Sequence, residues 1–208
     1  MKFGKIFFFL FFVVTVILFF YLEKSEKTIT ANISKCLELD YDTLQILKDT
    51  NISDIKYELK FESEKDWKRR LIKGHTTSFE NKDNTEFHSR FFTYNKRTNG
   101  SIILGFGNFK CFLKARIRPH GDFLDHRSSL DLPSLNINLI EGNINGITRF
   151  IFFRPITRHH DNEILISSIL SELGFLAPRT HNINVIYNEK KYAFIFQEKI
   201  VKEFLENN

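Results

Sequence analysis

Phe109, Cys111, Leu113, Ala115 and Ile117 alternate with Lys110, Lys114, Arg116 and Arg118, Phe112 alone breaking the polar series. A period of two sustained over this length fits only an extended strand with one apolar and one wet face. The rest of the chain must therefore supply neighbouring strands to pair with it and a further element to cover that apolar face. Asp54 to Phe61 alternates Ile55, Tyr57, Leu59 and Phe61 against Lys56, Glu58 and Lys60. Ile102 to Phe106 reads as a strand that turns at Gly107-Asn108, and Leu135, Ile137 and Leu139 alternate with Asn136 and Asn138. Arg149 to Phe153 is a short apolar run, and Ile183–Tyr187 and Tyr192–Phe196 flank a turn at Asn188-Glu189-Lys190.

Helical spacing is confined to a few stretches. Residues 35–50 and 62–74 each suggest a helix, the second built around Trp67 and Leu71. Asp161 to Gly174 is the strongest: Ile166, Ile169, Leu170 and Leu173 form one apolar face, Asp161 is placed to cap it and Gly174 to end it. Residues 74–100 are polar and turn-rich, and Glu198 to Asn207 starts a further helix. These elements predict an α+β fold, an antiparallel sheet with one main packed helix.

The N-terminus differs from everything after it. From Ile6 to Leu22 no charged residue occurs, a run of about 25 Å as a helix, at the short end of what crosses a bilayer. Its exit, Phe19-Phe20-Tyr21-Leu22-Glu23-Lys24, holds nothing small, which argues against a cleaved signal peptide. Lys2 and Lys5 precede it, so the positive-inside rule predicts a transmembrane anchor with a cytoplasmic N-terminus. The bulk of the chain is then extracytoplasmic, periplasmic or cell-surface, with the lipid bilayer as a partner through residues 6–22. The organisation this predicts is a stub and anchor over 1–22, a mixed extension over 23–100 and an α+β region over 101–208.

The formal charge is +5, with basic residues dispersed among acidic ones, which argues against a nucleic-acid partner. Cys36 and Cys111 are the two cysteines. A disulfide is permitted outside the cytoplasm, but two cysteines make no framework, and two unpaired buried thiols are the reading favoured here.

Two clusters can carry chemistry. Arg118 to Arg127 holds Gly121, Asp122, Asp125 and His126 where a strand should end. It reads as a structural turn, as a phosphate or nucleotide contact, or as a divalent-metal site on Asp122, Asp125 and His126. Arg154 to Glu163 leads into the helix, where free N–H groups suit an anion and capping chemistry with solvated arginines is the plainer account. No serine-hydrolase elbow, P-loop or zinc signature is present.

The order of these motifs resembles the spore-coat CotH kinase-like family from Lys114 to Leu205. The matching residues are Gly121-Asp122-Phe123-Leu124-Asp125-His126, Ser134-Leu135-Asn136-Ile137, Phe150-Ile151-Phe152, Pro155-Ile156-Thr157-Arg158, Glu163, Asn188 and Glu198. The resemblance implies the N-terminal lobe of an atypical kinase fold, with Glu163 as the ion-pairing Glu of its helix. It implies Lys114, Arg118, Gly121, Asp122 and Glu163 as nucleotide contacts, and ATP with Mg²⁺ as cofactors if the kinase reading holds. Leu132 stands where the family carries a Lys, and Ala193 where it carries a second turn Gly. The catalytic and metal-binding carboxylates of a kinase belong to a C-terminal lobe that does not follow here. The resemblance therefore implies a truncated or degenerate member, not catalytic alone, with a missing C-lobe or a partner protein. The alternative is a binding or scaffold module for a protein or polysaccharide, with no nucleotide.

Overall fold

The computed structural model describes residues 33–80, 96–121 and 132–206. The chain divides into two compact units, 1–34 and 35–208. The first lies almost wholly outside the described residues, and the account below concerns the second.

After the two-residue strand β1 (Ser34–Lys35) and a 3-10 turn at Cys36–Glu38 comes α1 (Tyr41–Asp49). It is capped by Asp40, whose Oδ1 accepts from the Thr43 backbone N–H at 2.9 Å. Then follow β2 (Lys56–Phe61), α2 (Glu64–Glu80), β3 (Thr98–Phe106), β4 (Phe109–Pro119), β5 (Leu135–Leu139) and β6 (Arg149–Phe153). A 3-10 turn at Pro155–Arg158 leads to α3 (Asn162–Glu172), β7 (Thr180–Tyr187), β8 (Lys190–Glu198) and α4 (Lys202–Glu206).

Strands β2 to β8 run in the order β4-β3-β2-β7-β8-β6-β5, and β5 pairs back to β4, so the sheet closes into a seven-stranded barrel. All neighbours are antiparallel except β2 and β7, which pair in parallel through Tyr57↔Val185. This corrects the expected fold class. The α+β sheet with a packed helix, like a kinase N-lobe, is replaced by a barrel whose two edges satisfy each other.

Closure explains the alternations. Along β4, Cys111, Leu113, Ala115 and Ile117 are buried, while Lys110, Lys114 and Arg116 are exposed. The interior is filled by aromatic rings: Phe150 stacks on Phe196 at 4.7 Å, Tyr57 meets Phe152 edge-on at 5.6 Å, and Trp67 of α2 stacks on Phe61 at 4.1 Å. Burial of Tyr57 pushes its phenol pKa up, and its hydroxyl donates to the Ile52 carbonyl at 3.0 Å. Gly100 of β3 admits the Lys60 carbonyl so closely that a Cβ there would lie 2.6 Å from it. The cysteines are not free: Cys36 and Cys111 form a disulfide that ties the 3-10 turn to β4.

The span expected over residues 6–22 lies outside the described residues. No helix among the described residues is long and apolar enough to cross a membrane. The longest, α2, begins Glu64-Lys65-Asp66 and carries Lys68, Arg69, Arg70 and Lys73 besides. The expected single-pass localisation is accordingly not supported.

Candidate functional site

Helix α3 is the element on which the structure departs furthest from the sequence pattern. Its apolar face was expected to pack on the sheet. Instead Ser167 is its one buried residue, and Ile164 packs beside Ile151, Phe153 and Ile195 on the barrel's outer wall. Leu165, Ile166, Ile169, Leu170 and Leu173 are 37–66% exposed, and Phe175 and Leu176 beyond them are exposed as well. The physical reason is that the barrel interior is already full. The helix then has only an outer wall to lie on, and that wall offers three large apolar side chains.

Capping also differs from expectation. Asp161 makes no cap bond, and its carboxylate accepts from Asn182 Nδ2 at 2.9 Å. Gly174 does end the helix in a left-handed residue (φ 79°). Its N–H donates to the Ser171 carbonyl, and that of Phe175 to the Leu170 carbonyl at 2.9 Å. His159 and His160 both take positive φ, 49° and 58°, where the 3-10 turn hands over to the helix.

Between the second half of α3 and the start of β7 lies a cavity of about 220 Å³, lined by Ser167, Ser171, Glu172, Arg179, Thr180 and His181 among others. Burial and the neighbouring Arg179 charge hold the His181 pKa down, so its imidazole is neutral at neutral pH. Arg179, on the lining, is paired. Its Nε and Nη2 donate to both Glu198 carboxylate oxygens at 2.7 and 2.9 Å, and its Nη1 to the Asn145 carbonyl at 2.7 Å. Glu198 is 4% exposed, at an inward position of β8.

The residues singled out by sequence fall as follows. Lys114 is exposed and Arg118 half-exposed on the outer face of β4, and Gly121 follows the strand with φ 84°. Register places Arg118, Asn136, Ile151 and Gln197 in one transverse row. Glu163 is held at the far end of that row: Gln197 Nε2 donates to it at 2.6 Å, and Arg158 Nε lies 4.0 Å away. The Arg158 guanidinium also covers the Phe153 ring at 3.9 Å. Asp122, Asp125 and His126 lie outside the described residues, and among the described residues no group of three His, Cys, Asp or Glu is placed to hold a metal ion.

Sequence reasoning missed Arg179, His181 and the outward turn of α3. For the first, only the need was visible: Glu198 continues the inward series Tyr192, Phe194, Phe196, and a carboxylate at that parity requires a cationic partner, without saying which. No family model matches the chain, and no curated protein matches it.

Proposed function

We propose that the protein is a non-catalytic binding module that presents α3 to a partner protein, and that its likeness to CotH kinase-like proteins lies in motif order and not in catalysis. One observation carries the reading: Leu165, Ile166, Ile169, Leu170 and Leu173 form a continuous apolar ridge in solvent, prolonged by Phe175 and Leu176. Contiguous apolar surface of this extent marks an interaction site. Spacing at i, i+3, i+4 suits the ridges and grooves of a second helix. Exposed Glu172 at the helix C-terminus favours a partner with a basic residue beside its apolar stripe. Two of the motif residues support the non-catalytic part, because they are occupied in holding the fold: Ser134 Oγ accepts from the Arg154 N–H at 3.0 Å, and Glu198 is locked to Arg179.

The test places a photocrosslinking residue at Ile169 in the full chain and, as control, at exposed Lys191 of β8. A single defined adduct from position 169 alone is expected. Ile166→Asp should abolish it and weaken the purified, identified partner by about thirtyfold, the worth of one buried Ile. No adduct at position 169 sinks the reading. So does calorimetric binding of ATP with Mg²⁺ that is lost in Glu163→Gln, which would establish a nucleotide site instead.

A further inference from the structure

The cations of this chain are dispersed along the sequence but gathered by strand register. On the outer wall, Arg116 of β4 lies opposite Asn138 of β5, and Asn138 opposite Arg149 of β6. Phe150 pairs with Glu198, so Arg149 lies beside Lys199, whose backbone N–H donates to the Arg149 carbonyl at 3.0 Å. Arg118 stands two residues along β4, and Arg97 directly precedes the Thr98↔Ile117 pair that joins β3 to β4. Five cations thus occupy two neighbouring rows of one wall, on strands about 4.8 Å apart. Among the described residues no carboxylate lies within ion-pair distance of Arg116 or Lys199. Partial burial and then the charges of Arg118, Arg97 and Arg149 hold the Lys199 pKa below its ordinary value. This wall therefore gathers five cations, and its second row runs to α3, where Gln197 donates to Glu163.

We propose that this outer wall binds an acidic polysaccharide, with its carboxylate or sulfate groups laid along Lys199, Arg149 and Arg116. The surface is a row on the outside of a barrel and not a cleft, which suits an extended polymer over a small anion. Cations recurring at strand spacing match acidic groups recurring along a glycan, and guanidinium groups take carboxylate or sulfate oxygens in pairs. From β3 to β8 no outward position of the two rows is aromatic: they are Arg97, Asn99, Arg116, Arg118, Asn136, Asn138, Arg149, Ile151, Gln197 and Lys199, and Glu62, whose N–H donates to the Asn99 carbonyl, ends the first row. Single-stranded nucleic acid is held largely by stacking on aromatic rings, which this wall does not offer.

Heparin serves as the probe, with neutral dextran and single-stranded DNA of matched charge as comparators, all on the full chain. Heparin should bind, dextran should not, and the affinity should fall steeply with salt. Arg116→Ala and Lys199→Ala should each weaken heparin about fivefold, while Lys110→Ala, exposed at the other end of β4, leaves it unchanged. Equal loss in all three variants, or none in the Arg116→Ala/Lys199→Ala pair, overturns the proposal. DNA binding as tight as heparin assigns the wall to nucleic acid and overturns it too. Should a variant fail to fold, heparin binding by the wild-type chain that ignores salt overturns it alone.

Discussion

Glu198 shows how much one residue at an inward position can dictate. Its carboxylate points into an aromatic barrel, where an unpaired charge would cost several kcal/mol. Arg179 answers it with two parallel N–H donors and spends a third on the Asn145 carbonyl, so strand β8, the entry to β7 and the 143–146 turn are fixed by one guanidinium. Arg179→Met should therefore cost about 3 kcal/mol in urea denaturation, because the buried carboxylate is stranded. Glu198→Gln should cost less, since Arg179 is about one-third exposed and can turn to water. Adding Glu198→Leu to Arg179→Met should recover much of the loss. Equal costs for the two single variants would mean that the desolvated carboxylate is not the source. The parity of Glu198 was legible in the sequence, but Arg179 was not, because a residue between helix and strand belongs to no period.

At the scale of elements, β5 and β6 fall where the apolar patterns put them, at Leu135–Leu139 and Arg149–Phe153. The hairpin turn was legible for the same reason: Asn188-Glu189 interrupts two alternating runs. Both its residues take positive φ, 48° and 63°, as a two-residue turn matching strand twist requires. Asn tolerates that conformation and Glu does not, at a cost of roughly 1–2 kcal/mol. Glu189→Gly should relieve it and, after the greater unfolded-state freedom of glycine, raise stability by about 0.5–1 kcal/mol. A thermal midpoint that stays level or drops would place the turn's cost elsewhere. Helix α3 marks the limit of pattern reading. Its span was predictable and its facing was not, because a 3.6-residue period identifies an apolar stripe without saying whether the fold or a partner covers it.

For the whole molecule, the decisive contacts are those that close the barrel, β4 with β5 and β2 with β7. The second joins strands more than a hundred residues apart, and no local periodicity encodes which edges meet. The disulfide is of the same long-range kind. It spans 75 residues of sequence, from the 3-10 turn to fully buried Cys111 at an inward position of β4. None of the staves β2 to β8 contains Cys36, so the barrel's pairing survives without the bond while the unfolded chain gains a large loop's worth of freedom. Chain-entropy arithmetic for a loop of this length gives about 4 kcal/mol. Cys36→Ser/Cys111→Ser should therefore keep the wild-type far-ultraviolet spectrum and lose roughly that much stability in urea, and wild type under reductant should match it. Unchanged stability with the spectrum intact would make the bond a passenger on an already closed barrel. Loss of the spectrum itself would mean that β4 cannot be seated without Cys36, and that closure depends on the N-terminal turn as well as on the seven strands.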